Sequence, residues 1–79
     1  MVSIIGHTDK LPINSPQFPS NWELSSARAI SVLKYLIEQG IPPERLSATG
    51  YGEYQQIDPG NDEAALSRNR RIEIKFNQR

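Results

Sequence analysis

Apolar and polar positions along this chain divide it into segments of different period. Val2-Ser3-Ile4-Ile5 is a short apolar run that reads as a strand ended by Gly6. Thr8 to Pro19 has no period and contains Pro12, Pro16 and Pro19, each lacking a backbone donor, so it reads as a loop. Helical spacing begins after Ser20. Ser20 at the N-cap with Glu23 three residues on is a capping box, which satisfies two orphan amides reciprocally. The helix is predicted to run to about Gln39. Gly40 takes the left-handed position, Ile41 supplies the apolar contact of a Schellman ending, and Pro42-Pro43 forbids continuation.

On a wheel of about 100° per residue, Trp22, Ala29, Ile30, Val32, Leu33, Leu36 and Ile37 share one arc and are predicted to face a sheet. Arg28, Ser31, Lys34, Tyr35, Glu38 and Gln39 occupy the opposite arc, and Leu24 falls with them, one turn before Arg28. Leu46 to Tyr51 reads as a second strand, interrupted or ended by Gly50 and Gly52. Residues 53 to 60 form a loop closing on Asp58-Pro59-Gly60, and Asn61 or Asp62 starts a short helix through about Arg68. Arg71 to Phe76 alternates at period two, predicting a half-buried strand with Ile72, Ile74 and Phe76 inward. The order strand, helix, strand, helix, strand places the chain in the α/β (α+β) class, a small sheet covered by helices, with a right-handed first crossover if its strands are parallel.

Seventy-nine residues make one domain, spanning 1–79. A chain of this size buries only about 60% of the surface its unfolded form exposes, so its stability margin is thin. With no cysteine, neither disulfides nor thiolate metal sites add support. Nine basic residues balance nine acidic ones, which argues against a nucleic-acid or anionic-membrane partner. No apolar run approaches the roughly 20 residues needed to span a bilayer. The first residues lack the charged leader of a secretory signal, so work outside the cytoplasm would require another segment to carry the chain there.

Two clusters depart from a featureless domain. Leu24 and Arg28, spaced i, i+4 on the wet face of the helix, make a small amphipathic platform; equally, Leu24 could pack under the proline-rich loop and Arg28 be a solvated charge. Gly6-His7-Thr8-Asp9 lies at the carboxyl end of the first strand, where ligands gather in open α/β sheets, although Asp9 also suits a turn whose carboxylate caps nearby amides. His7, the single histidine, falls short of the about three or four ligands of a metal site, and its expected role is structural, one ring nitrogen holding the loop through a hydrogen bond. No nucleophile–base–orienter set can be assembled, so no catalysis and no cofactor are expected. Gly50-Tyr51-Gly52 lacks the helix start of a dinucleotide loop. Arg68-Asn69-Arg70-Arg71 is too short and too flanked by acids for nucleic acid, but a corner carrying guanidinium groups suits carboxylates.

Gly6-His7-Thr8-Asp9, Asn21-Trp22-Glu23-Leu24-Ser25-Ser26-Ala27-Arg28-Ala29, Gly50-Tyr51-Gly52-Glu53 and Asn69-Arg70-Arg71-Ile72-Glu73 occur in the order and spacing of the OmpA-like peptidoglycan-binding domain. The resemblance covers nearly the whole chain. Within the family, the long loop ending at Phe18-Pro19-Ser20-Asn21-Trp22-Glu23-Leu24-Ser25 is most similar to the C-terminal domain of the flagellar stator protein MotB, and less so to the shorter loops of Pal and OmpA.

The resemblance implies a small mixed sheet and a non-catalytic anchor in the periplasm, holding the diaminopimelate of the peptidoglycan stem peptide. It assigns Asp9 to the ligand's ammonium and Arg28 to its carboxylate. Thr8, Asn21 and Leu24 correspond to positions at that site, and Arg70 to a further contact. The chemistry is consistent: a zwitterion needs one anion and one bidentate cation at fixed separation. Family domains ordinarily begin with another strand and helix, absent here, so the chain is expected to be a fragment or to have a second copy filling the gap. The resemblance to the stator branch implies a homodimer, which exposed strand edges favour. The competing reading is a protein-interaction or dimerisation module whose peptidoglycan site is vestigial.

Overall fold

A computed structural model describes residues 1–76. The elements in chain order are β1 (Val2–His7), α1 (Asn21–Glu38), a single 3-10 turn (Pro43–Arg45), β2 (Leu46–Gly50), α2 (Glu63–Asn69) and β3 (Arg71–Phe76). They build a mixed three-stranded sheet of order β2-β1-β3, with β1 parallel to β2 and antiparallel to β3. This is the expected α+β architecture, although the sheet's two faces are treated differently. Val2, Ile4 and Gly6 pair with Phe76, Ile74 and Ile72 and share the face toward α1; Ser3, Ile5 and His7 pair with Lys75, Glu73 and Arg71 on the other, more polar face.

The ends of α1 follow from local chemistry. The Ser20 hydroxyl accepts from the Trp22 amide at 3.2 Å and donates to the Glu23 carboxylate, which holds that carboxyl below its usual range. At the other end Gly40 has φ 103°, a conformation costly for any residue with a Cβ. Its amide donates to Ile37 O at 3.0 Å and that of Ile41 to Leu36 O at 3.1 Å, the paired bonds of a Schellman ending. Asp62 caps α2 by accepting from the Ala65 amide at 2.9 Å.

Gly6 does not end β1. It lies inside the strand, which continues to His7, and pairs with Gly50 on one side and Ile72 on the other. A glycine is needed there for packing. A Cβ on Gly6 would stand 2.2 Å from the Ser25 carbonyl oxygen, and one on Gly50 would stand 2.3 Å from Ser26 Oγ and 2.5 Å from Ser26 N. The first half of α1 therefore lies almost backbone to backbone on β1 and β2, and the residues it buries are Asn21, Ser25 and Ala29.

That close approach corrects the helical wheel. Trp22 is 47% exposed and Ile30 also lies open, since small residues occupy the contact line the wheel assigned to larger ones. β3 needs a similar correction. Ile72 is half-buried, but Ile74 is 45% and Phe76 78% exposed. Their side of the sheet is the α1 side, yet α1 packs over β1 and β2 and hardly reaches β3. The core is correspondingly small: Ile4, Ile5, Ala29, Ala65 and Leu66 are its buried apolar residues. No helix among the described residues is long and apolar enough to cross a membrane.

Candidate functional site

The carboxyl end of β1 runs into a knot of polar contacts. Thr8 is buried, its amide donating to Gly52 O at 3.0 Å and its hydroxyl to the Asp9 carbonyl at 2.8 Å. Its own carbonyl accepts from Gln56 Nε2 at 3.1 Å. Thr8 is thus turned into the fold, fixing the chain from which Asp9 projects. Asp9 is almost fully buried, and its two oxygens have different tasks: Oδ1 accepts from the Leu11 amide at 3.0 Å, and Oδ2 accepts from Arg70 Nη1 at 2.8 Å. The turn role expected of Asp9 is present at Oδ1, while Oδ2 is held by Arg70.

Arg70 sits at the corner between α2 and β3, with its second terminal nitrogen on Glu63. The hydrogen bonds it donates to Glu63 and then to Asp9 hold its guanidinium above the ordinary range. The neighbouring arginines are also matched within the chain: Arg68 with Asp58 at 2.5 Å and Arg71 with Glu73 at 2.7 Å. The corner does collect carboxylates, as its composition suggested, and they are the protein's own.

On α1, Asn21 is buried and its Nδ2 donates to Leu11 O at 3.0 Å. Leu11 is therefore gripped at both backbone groups, by Asp9 on one side and Asn21 on the other, which locks the start of the proline-rich loop to the start of the helix. Leu24 is half-buried on the next turn. Arg28, one turn further, is exposed and makes no hydrogen bond or ion pair among the described residues. The fold thus brings Thr8, Asp9, Asn21 and Arg70 into one bonded network, with Leu24 and Arg28 following Asn21 along α1.

Three residues of this network were not singled out on the sequence. Asn69 is completely buried; its Oδ1 accepts from the amides of Ile57 and Asp58 at 2.8 and 3.0 Å, and its Nδ2 donates to Asp58 O at 2.9 Å. Gln56 bridges Thr8 O and Glu53 O, and Glu63 anchors Arg70. Asn69 lies in the Asn-Arg-Arg-Ile motif, which was its only sequence signal; Gln56 and Glu63 carried none. Among the described residues no group of three metal-ligating side chains occurs.

His7 is structural, but not in the way expected. Neither ring nitrogen makes a hydrogen bond to the loop; the ring stacks on Tyr51 at 5.6 Å, and Nε2 stands 3.5 Å from Glu73 Oε1. Burial, followed by the charge of Arg71, pulls the imidazole below its ordinary 6.5, with Glu73 opposing. The unfolded chain therefore takes this proton first, and stability falls as pH drops from the unfolded value toward the folded one. Glu73, held below its ordinary range chiefly by the Arg71 hydrogen bond, adds a loss of the same sign at lower pH. The thermal midpoint is expected to decline as the pH falls below the ordinary imidazole value of 6.5, and His7→Phe, which keeps the stack on Tyr51, to flatten that decline. Equal slopes for the two proteins in a calorimetric series would remove His7 as the cause.

Comparison with known proteins bears on this geometry. The model of the OmpA family matches residues 1–70. Motility protein B of Bacillus subtilis (strain 168) is 40% identical over 74 residues, which is 92% of this chain and 28% of that protein. The peptidoglycan-associated lipoprotein of Pseudomonas aeruginosa is 35% identical over 74 residues, 94% of this chain and 42% of the lipoprotein. The chain thus spans under a third of the motility protein. Among solved structures, the C-terminal domain of Helicobacter pylori MotB superposes with a TM-score of 0.90 at 35% identity, covering 99% of this chain and 59% of that one. The cell wall anchor of the T6SS from Pseudomonas aeruginosa superposes with a TM-score of 0.85 at 36% identity, over 92% of this chain and 51% of that one. With four motifs in register, one shared fold and a family match over most of its length, the chain belongs to the OmpA family.

Proposed function

We propose that this domain binds peptidoglycan without chemistry, in the periplasm, and thereby ties a larger protein to the cell wall. The single observation that carries the reading is the state of Arg28. Unlike the three arginines of the α2–β3 corner, it spends none of its donors within the described chain, and it stands on α1 beyond the network that fixes Asp9. A guanidinium left free on a rigid helix offers two parallel donors to a ligand carboxylate. Asp9, oriented by Leu11 and Arg70, keeps lone pairs for an ammonium. The ligand that suits such a pair is the zwitterionic end of diaminopimelate in the stem peptide, with Leu24 against its methylenes, Asn21 and Thr8 positioning the loop, and Arg70 holding Asp9 in place. The names of relatives, a peptidoglycan-associated lipoprotein and a cell wall anchor, support the same reading.

Co-sedimentation with purified peptidoglycan tests it. Arg28→Ala and Asp9→Ala are each expected to cost about 2 kcal/mol or more, roughly a thirtyfold weaker retention, because each leaves one ligand charge without its partner. Arg28→Ala is the cleaner of the two, since Asp9 also holds the loop. Free diaminopimelate is expected to compete. Retention unchanged by Arg28→Ala would discard the proposed grip.

A second reading has its own observation. Among the described residues β3 pairs with β1 alone, and Ile74 and Phe76 are open on it, which suits edge-to-edge contact with another chain, including a second copy of this one. A protein that self-associates in light scattering and leaves peptidoglycan in the supernatant would select it.

A further inference from the structure

Behind Asp9, on the polar face of the sheet, stands a cluster that the proposed grip does not use. His7 lies directly across from Arg71 in the β1–β3 ladder, with Glu73 on the same face two positions along. The His7 side chain is buried, and neither ring nitrogen has a hydrogen-bond partner among the described residues. A neutral imidazole carries one N–H, so the fold holds an unmet donor inside it, which is unfavourable unless the position requires the ring.

Glu73 is near enough to take that hydrogen but is turned elsewhere. Its Oε1 is 3.5 Å from His7 Nε2, while its Oε2 accepts from Arg71 Nε at 2.7 Å. Arg71 in turn clasps the loop after β2, its Nη2 donating to Gln55 O at 3.0 Å and its Nη1 to Asn69 O at 3.4 Å. The next loop residue, Gln56, donates to Thr8 O at 3.1 Å. Contacts thus run in a circuit from His7 through Glu73, Arg71 and the loop to the carbonyl of Thr8, the residue between His7 and Asp9.

The charged groups acting on the ring are Arg71, Glu73 and Lys75 of β3, and past the end of β2 it meets Tyr51, stacked at 5.6 Å with planes 13° apart. With the ring neutral, Glu73 is left to Arg71 and the circuit is set. A proton makes both ring nitrogens donors and adds a positive charge beside Arg71 and Lys75. Glu73 is partly exposed and has room to swing. Closing the 3.5 Å gap to His7 draws it from Arg71, whose guanidinium then loses the contact that aims it at Gln55 O.

We infer that His7 is a positioning residue for Asp9, and that a proton on its ring, by taking Glu73 from Arg71, displaces the Thr8–Asp9 segment and weakens the grip on peptidoglycan. The inference rests on the peptidoglycan reading and deepens it with a dependence on acid.

Two-dimensional NMR of the isotopically labelled chain reads the coupling without any ligand. The Leu11 amide, which bonds Asp9 Oδ1, is expected to titrate together with the His7 ring protons, at a common midpoint below the ordinary imidazole value of 6.5. In His7→Phe that step should be absent; His7→Gln, whose amide takes no proton in this range, serves if the phenyl variant does not fold. Folded and unfolded molecules give separate peaks, so acid unfolding is not mistaken for the shift. Peptidoglycan retention by the parent is expected to fall through the same midpoint, by at most about tenfold per pH unit for one linked proton. The variant should retain as much at about pH 5.5 as at about pH 7.5. A Leu11 amide that ignores the ring titration, or a variant whose retention declines as the parent's does, would overturn the inference. Parent retention that holds steady while the ring titrates would overturn it and leave the anchor standing. Coupled titration of ring and amide in a protein that never sediments with peptidoglycan would sustain the positioning role and remove the anchor.

Discussion

Gly6→Ala is expected to destabilise this domain by about 3 kcal/mol or more, enough to leave much of it unfolded under ordinary conditions. The added methyl would lie 2.2 Å from the Ser25 carbonyl oxygen. The obstacle is helix backbone, which has no alternative rotamer. Relief requires α1 to lift from β1, and lifting it would also break the 2.9 Å bond from the Gly52 amide to Ser25 Oγ. A chain of this length has roughly 4–12 kcal/mol in total, so the loss is a large share of it. Urea denaturation followed by far-ultraviolet circular dichroism measures it. A midpoint within experimental error of the parent would mean that α1 does not approach β1 this closely. Gly50→Ala serves as comparison: its methyl would meet helix backbone at Ser26 N, 2.5 Å away, and Ser25 Oγ, which holds the Gly52 amide, so a comparable loss is expected.

Asn69→Ala is expected to cost about 3 kcal/mol, by a different route. The side chain makes three hydrogen bonds to the loop before α2, and it is completely buried. Truncation leaves the amides of Ile57 and Asp58 and the carbonyl of Asp58 to find water, each at the cost of an unmet buried group. The loop also carries Asp58, which pairs Arg68, and Gln56, which holds Thr8. Loss of peptidoglycan retention should therefore accompany the loss of stability. Amide hydrogen exchange at residues 57 and 58 is expected to rise first and most. Unchanged protection there would show that Asn69 does not organise the loop. Asn69→Asp is the sharper variant: it keeps the acceptor and replaces the donor facing Asp58 O by a second acceptor.

The parts of this fold that were legible in the sequence are those decided within a few residues. Both ends of α1 and the Asp62 cap follow from side chains and glycines bonding to backbone within one turn, and the alternation of β3 is local as well. What misled was any residue whose role is set by something distant. Gly6 carries a strand-ending signal in isolation, but its meaning comes from Ser25, nineteen positions later, pressing on it. Ile74 and Phe76 have correct periodicity, which names a face and cannot say how far the covering helix extends; Trp22 and Ile30 lie off the contact line that Asn21, Ser25 and Ala29 occupy. The same holds for the candidate site. The resemblance brought out Asp9, Arg28 and Arg70, but the Asp9–Arg70 bond joins positions 61 residues apart, and no local pattern could have shown that Arg70 is occupied while Arg28 is free. Asn69 was quoted within a motif without a role, since a buried hub and a surface amide look alike in a string of letters.

The middle place of β1 has a mechanical consequence for a wall-bound domain. Asp9 stands two residues past the end of that strand, so tension entering there pulls along its axis. β1 is bonded to β2 on one edge and β3 on the other, in register along Val2–Gly6 and Val2–His7. A pull in that direction loads both ladders together in shear, where an outer strand could be peeled one bond at a time. On the proposed grip at Asp9, the load enters the strand hardest to draw out.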